Sequence, residues 1–475
     1  MRYEDDYIND GHEIEELINK YNLMIENKCD VFFDLHELEV LGDYYFNIGN
    51  LKDAGNVIKY GLKNYPYSLE LKIKHAQLLI DKGLYNQALA EIKELIDLNP
   101  SNSEINLLMG IISNVMGMKK EAAYYFKKAI MLPDAINLAD YLFSIALSYQ
   151  NVNDYHTAYY YLKEAYRVEP KDLSILWELA NCSEACDYYD EAVKYYNLYL
   201  DEEPFSSYIW FNLGVVYTKL EKFEKALEAF EYVIALTEND SLAYYNKANA
   251  LANLGKYEEA IKSFNEYISL VGDCSQTYCN IGECYERIGD FENALNYYQK
   301  ALSIDDKCSD AIFGIGIIHS ICNKLPESVK FIKLAIEIDS NVSDYYYSLG
   351  TIYYKMNQHD KAIKSFEKAI ELDPKDYESW LQLADIYYSN NLLSKAIKIL
   401  EEAYHVNSDI ALISYRLAAF YLLKNNINEG IIYFRKAITK NFREHKEIYK
   451  YFPDVNKIKE INDLIKLYKS SSYEF

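Results

Sequence analysis

Turn-breaking residues are scarce in this chain: 475 residues hold only 17 glycines and eight prolines. Helices joined by short turns fit that count, and long loops do not. Cations are also short, with 49 lysines and arginines against 73 aspartates and glutamates, a formal charge of −24. So acidic a chain repels phosphate backbones and anionic lipid at long range. Nucleic acid is a poor partner for it, and a basic protein or peptide a reasonable one. No apolar run reaches the roughly 18 residues that a membrane-crossing helix needs. The opening stretch, MRYEDDYINDGHEIEEL, is acidic and lacks the apolar core of a signal peptide. A cytoplasmic location without membrane insertion is therefore expected.

Motifs that carry chemistry are missing too. The eight cysteines (Cys29, Cys182, Cys186, Cys274, Cys279, Cys284, Cys308 and Cys322) form no CxxC pair, and no HExxH occurs. They read as reduced thiols, with Cys182 and Cys284 in the core. Gly314 and Gly316 make a GxG, but inside an expected helix rather than after a strand, which argues against a nucleotide loop. No Walker A, GxSxG or kinase signature appears. Nothing names a catalytic acid or base. No metal and no cofactor is expected, and the chain does not read as an enzyme.

What is abundant is apolar and aromatic material: half the residues are apolar, 15% are aromatic, and 50 are tyrosine, ample for a packed core along the whole length. That material recurs. The stretch KYEEAIKSFNEYISL starts at Lys256, DFENALNYYQKALSI follows 34 residues later at Asp290, and QHDKAIKSFEKAIELDP starts at Gln358. One small-residue place runs through Ala54, Ala88, Ala122, Ala158, Ala192, Ala226, Ala260, Ala294, Ser328, Ala362, Ala396 and Gly430, at steps of 34 with one insertion of two. Twelve residues before each stands a second: Gly42, Ala76, Gly110, Ala146, Ala180, Gly214, Ala248, Gly282, Gly316, Gly350, Ala384 and Ala418. A small residue on each arm of a helical hairpin lets two backbones approach at the crossing. Large residues one turn away then fill the flanks, such as Tyr217 and Tyr285 on one arm and Phe230 and Phe264 on the other. Pro66, Pro100, Pro170, Pro204 and Pro374 share a place near the end of the unit, where Pro stops the second helix.

These residues resemble the tetratricopeptide pattern W-x2-L-G-x2-Y, A-x3-F, P over 34 residues. Trp210, Leu213, Gly214, Tyr217, Ala226 and Phe230 match it, as do Trp380, Leu383, Ala384, Tyr387 and Ala396. The resemblance covers roughly Leu35 to Glu444 and implies an all-α, right-handed superhelical solenoid of helix–turn–helix units. We number twelve repeats: 35–68, 69–102, 103–136, 139–172, 173–206, 207–240, 241–274, 275–308, 309–342, 343–376, 377–410 and 411–444. Repeats one to three are degenerate, and repeat nine carries Pro326 where its second helix should start. Residues 1–34 read as an acidic segment with a capping helix at 12–26. Residues 445–475 read as a basic capping helix, at 455–468, and tail, because a stack exposes apolar surface at both ends unless capped. The segment YFPDVNKIKEINDLIKLYK also looks like the tail of stand-alone, all-repeat bacterial proteins of unassigned function.

The resemblance further implies that the second, fifth, sixth, ninth and thirteenth places of each repeat face a concave groove. The fifth place holds Phe143, Trp177, Phe211, Tyr245, Cys279, Phe313, Tyr347, Leu381 and Tyr415, a largely aromatic stripe. The sixth holds Asn212, Asn246 and Asn280, with Asn249 one turn from Asn246. Amides both donate and accept, so such a ladder suits the backbone of an extended peptide. Aromatics and Asn are also common at these places for structural reasons, and that alternative stands beside the first. A carboxylate clamp of the kind that holds chaperone tails is not expected, since Tyr245, Asn249 and Asn280 are followed by Asp310 and Gly314 where cations are needed. The expectation is a non-catalytic scaffold binding an extended protein segment, with a basic segment favoured. The alternative is a peptide-responsive regulator whose superhelix changes pitch. Charge adds one further expectation. Residues 1–34 hold ten acidic residues against Arg2, Lys20 and Lys28, and residues 435–470 hold ten basic against five acidic. Weak head-to-tail self-association would follow from that asymmetry.

Overall fold

The computed structural model describes residues 4–27, 31–132 and 138–471. Among them stand 27 α-helices and no strand, so the fold is all-α. The chain divides into two compact halves, Met1–Glu238 and Asn239–Phe475.

In the first half, helices pair in sequence as Leu35–Asn47 with Leu51–Asn64, Leu69–Asp81 with Tyr85–Leu98, and Ser103–Val115 with Lys119–Met131. Leu138–Gln150 with Tyr155–Val168, Leu173–Ala185 with Tyr189–Glu202, and Ser207–Lys219 with Phe223–Leu236 complete it. Short polar side chains start many of them. Asp34 forms a reciprocal capping box with Glu37, and Ser68, Asn102, Asp154 and Asp172 each accept from the third backbone N–H onward. Ala54, Ala88, Ala122, Ala158, Ala192 and Ala226 are fully buried, as are Phe126 and Phe230. Trp210 shows what the Trp of the pattern does: its indole N–H donates to the Pro204 carbonyl at 2.9 Å, tying a helix start to the turn before it. Ahead of the pairs runs a helix from Glu4 to Asn27, longer than the 12–26 expected. The apolar spacing marked only the stretch that packs, where Leu17 and Tyr21 are buried and Tyr21 meets Tyr45 at 5.7 Å between ring centres.

The second half repeats the scheme. Ser241–Asn253 pairs with Tyr257–Val271, Ser275–Ile288 with Phe291–Ile304, and Ser309–Ile321 with Leu325–Ile338. Ser343–Lys355 pairs with His359–Leu372, Tyr377–Ser389 with Leu393–Val406, and Ala411–Leu423 with Ile427–Lys440. Pro326 stands in the first turn of its helix. Ser328, the one hydroxyl at the small place, donates to the Gly316 carbonyl at 2.7 Å across the crossing. Trp380 donates to the Pro374 carbonyl at 3.0 Å, the counterpart of Trp210.

Each hairpin turns through one residue in the left-handed region, always fifteenth in its repeat. Gly49, Gly83, Gly117, Asn153, Asp187 and Glu221 hold it in the first half, and Gly255, Gly289, Asn323, Asn357, Asn391 and Asn425 in the second. Gly, Asn and Asp adopt that conformation cheaply.

The C-terminal end departs from the expected single helix over 455–468. A 3-10 turn at Pro453–Lys457 buries Val455, Ile458 is extended, and the helix proper is Lys459–Ser471. A short helix, Glu447–Tyr451, packs on the first helix of repeat 12, and Lys459–Ser471 packs on the second. The segment thus takes the station of a thirteenth pair. The two small places there are filled by Phe452 and Leu464, so the close crossing is lost. Arg416 compensates: buried, it donates to the Leu381 carbonyl at 3.0 Å, to Asp385 at 3.0 Å and to Glu447 at 2.8 Å. Tyr451 lies over its guanidinium and donates to Asp385 at 2.8 Å.

Candidate functional site

In the second half, two neighbouring clefts open along the first helices of repeats 7 to 10. The smaller, of about 370 Å³, is lined by Asn249, Asn253, Asn280, Glu283, Cys284 and Arg287 among others. The larger, of about 530 Å³, shares Asn280, Glu283 and Arg287 with it and continues past Cys279, Glu286, Asp310 and Phe313 to Asp344 and Tyr347. Asn280 joins the two. Its amide donates to the Tyr245 hydroxyl at 3.2 Å, and its oxygen accepts from Gln276 at 3.2 Å. Asn249, Asn280, Phe313 and Tyr347 are therefore brought to one surface, and Tyr245 supports it.

Four carboxylates line the larger cleft, Glu283, Glu286, Asp310 and Asp344, against the single cation Arg287. Burial raises the Glu286 carboxyl above its ordinary range, with Glu283 adding to the rise. Burial likewise raises Asp344, beside Asp376 and Asp373. Added positive charge would relieve all of these. The Tyr347 hydroxyl is pushed up to about 12, first by burial and then by the Glu378 carboxylate. Phe313 is held at 4.7 Å between ring centres from Tyr345, whose hydroxyl donates to Asp310 at 2.8 Å.

The floor of the larger cleft comes from an unforeseen arrangement. Tyr298, on the second helix of repeat 8, lies between Gly282 and Gly314. A Cβ on Gly282 would come within 2.7 Å of its ring, and one on Gly314 within 2.3 Å. Gly314 is thus a space left for a tyrosine. Tyr298 donates to Glu286 at 3.0 Å. In repeat 5, Tyr196 at the same place donates to Glu184 at 2.5 Å, again twelve residues before it. Tyr occurs at this place in these two repeats alone, and Glu at its partner place likewise. That coincidence was available in the sequence.

Other expected residues fare differently. Asn246 turns its amide back to the Leu242 carbonyl at 2.9 Å, so it donates to its own helix. Tyr415 is a correction. It is wholly buried, its hydroxyl donating to the Asn441 carbonyl at 2.9 Å and its ring edge-on to Phe434, because the C-terminal segment covers it. In the first half, Asn212 also bonds its own helix, at the Tyr208 carbonyl, 2.9 Å. Phe143, Trp177 and Phe211 are half-buried there. Trp177 meets Tyr208 at 4.6 Å between ring centres, leaving Tyr208 59% exposed at the surface. Among the described residues no three metal-binding side chains converge, and no helix is long and apolar enough to cross a membrane. Cys29 lies outside the described residues.

Paired helices of nearly constant length, small crossings and a left-handed turn at one place define a helical-repeat solenoid. The repeats are tetratricopeptide repeats, and this chain is a protein built from them: sequence profiles of that repeat match residues 69–102, 207–240, 240–307, 343–376 and 365–398. No curated protein matches the chain. Among solved structures, it is similar to the APC/C hetero-tetramer Cut9–Hcn1, at 13% identity over 92% of this chain and 96% of that one, TM-score 0.39. It is similar to TTC0263, a thermophilic protein of the same repeat from Thermus thermophilus, at 20% identity over 38% of this chain and all of that one, TM-score 0.35. It is also similar to YrrB, described as having an unusual peptide-binding site, at 20% identity over 39% and 95%, TM-score 0.29.

Proposed function

We propose that this chain is a non-catalytic scaffold that binds an extended, basic protein segment along the first helices of repeats 7 to 10. One observation carries the reading: two clefts meet at Asn280, with aromatic walls at Phe313 and Tyr347 and four carboxylates against one guanidinium. An extended backbone has unpaired amides and carbonyls, which Asn249 and Asn280 suit. Phe313 and Tyr347 offer contact area at low entropic cost. Lysine or arginine side chains of the bound segment would face Asp310, Asp344 and Glu283, and the acidic surface would speed their arrival.

The test uses the full chain and fluorescent peptides in matched pairs, one with lysines at alternate positions and one with glutamates there. Anisotropy should rise with the lysine peptides alone, and the affinity should fall with salt. The double substitution Asn280→Ala, Asp344→Asn should weaken binding without changing helicity by circular dichroism. Equal binding of both peptides, or binding untouched by the double substitution, overturns the proposal.

A further inference from the structure

The junction of repeats 8 and 9 brings two thiols together. Cys279, in the first helix of repeat 8, and Cys308, the residue just before the first helix of repeat 9, have their sulfurs 3.2 Å apart. They are unbonded and almost fully buried, in one core cluster with Tyr298 and Ala311. Cys279 also lines the larger cleft, and Cys308 is 9% exposed, the more accessible of the two, so a small solute can reach the pair.

We propose that Cys279 and Cys308 form a redox-active dithiol, an oxidation site that a hydroperoxide converts to a disulfide joining the first helix of repeat 8 to the start of the first helix of repeat 9. The pair is polarised for it. Either sulfur can donate across the gap, but the Ser275 hydroxyl and the Ala311 backbone N–H also face Cys308 and favour charge there, while the contact with Cys308 and burial keep Cys279 protonated. Cys308 is drawn down to about 6, first by the Cys279 hydrogen bond and also by the Ala311 backbone N–H, against burial and the Asp310 carboxylate. A thiolate at a helix start beside a thiol is the arrangement of reactive cysteines. The Cys308 sulfur attacks the peroxide, the O–O bond breaks, and the departing alkoxide takes a proton. Cys308 is then a sulfenic acid. The Cys279 sulfur attacks it, the S–O bond breaks, and hydroxide leaves as water with the Cys279 proton. Two thiols lose two hydrogens, and the peroxide becomes an alcohol and water. By contrast, burial pushes Cys182 up to about 11 and Cys284 up to about 12. The bond would tie together two helices that wall the larger cleft. The chemistry stands whether or not a peptide binds there.

The full chain is treated with hydrogen peroxide, alkylated, cut with trypsin without reductant and read by mass spectrometry. Cleavage at Lys262, Arg287, Lys307 and Lys324 puts Cys308 on a different peptide from Cys274, Cys279 and Cys284. The expected product joins the two peptides with loss of two hydrogens, fragmentation places the bond at Cys279 and at Cys308 rather than Cys322, and dithiothreitol reverses it. Cys284→Ser keeps the bond. In Cys279→Ser the reaction stops at a sulfenic acid on Cys308 that dimedone traps, and in Cys308→Ser Cys279 stays reduced. Circular dichroism confirms that each variant is folded. Absence of the link in the folded wild-type chain, a link to Cys274 or Cys284 instead, or Cys279 oxidised as fast in Cys308→Ser overturns the proposal.

Discussion

Glu221 sits in a left-handed turn, φ 56°, that elsewhere in the chain belongs to Gly, Asn or Asp. An ordinary side chain there costs roughly 1–2 kcal/mol. Glu221→Asn should therefore raise stability by about 1 kcal/mol in urea denaturation, and no gain would mean the local conformation is wrong. Tyr298 makes a second case. Its hydroxyl is the hydrogen-bond donor to a partly buried carboxylate. Tyr298→Phe removes that donor and should cost about 1–3 kcal/mol at neutral pH. The sign with pH follows from Glu286, whose carboxyl burial raises. A raised acid holds its proton longer in the folded chain, so its contribution is full below the ordinary carboxylate range and is lost as pH rises through the raised value. The Tyr298 bond limits that loss. The Tyr298→Phe deficit should thus shrink in acid, and denaturation at two pH values checks it. An equal deficit at both would show that the loss is one of packing.

At the scale of elements, the sequence made the helical hairpins legible because their crossings demand small side chains at fixed places. It made their turns less so. The fifteenth place was open to the same periodic reading, but Asp187 and Glu221 blur a Gly and Asn signal. The break at Ile458 was hidden because Val455 reaches the core from a 3-10 turn as well as from a helix. At the cleft, the Asn and aromatic places were readable from the repeat, while Tyr298 filling the space at Gly314 needed three dimensions. Tyr415 was misplaced because the segment covering it lies outside the lattice of small residues. That covering segment is pinned by Glu447. Burial opposes its charge, yet hydrogen bonds from Lys450 and Arg416 hold its carboxyl below the ordinary range. Asp385, on the same guanidinium, shifts up because its burial outweighs Arg416. The Glu447 share of stability is present above the ordinary carboxylate range and is lost as pH falls through the lowered value. Glu447→Ala should cost about 3 kcal/mol, the low end for a broken buried pair, since Arg416 keeps Asp385 and the Leu381 carbonyl. Hydrogen exchange should then speed up over 447–451, and unchanged protection there would count against the pinning.

For the whole molecule, charge along the chain sets behaviour in solution. The acidic start and the basic end remain unequal after local pairing of Lys20 with Glu37, Lys450 with Glu447 and Lys457 with Asp454. Arg2, Lys28 and Asp30 lie outside the described residues. The acidic first segment of one molecule would attract the basic last segment of another, and a contact of that kind need not close. Light scattering should show concentration-dependent association at low ionic strength that vanishes once screening shortens to about 8 Å at 0.15 M salt. A chain lacking residues 445–475 should not associate at either.

Within each half, helices pack chiefly on the next one or two in the sequence. That locality has a meaning in time. A ribosome adding about 5–20 residues per second delivers one 34-residue repeat every 2–7 s or so. Helices form in about a microsecond. Each hairpin therefore has seconds to settle on its predecessor before the next appears, and little of the growing chain waits for a partner not yet made. Asp385 waits far longer: the Tyr451 hydroxyl that donates to it comes 66 residues later, almost two repeats of synthesis.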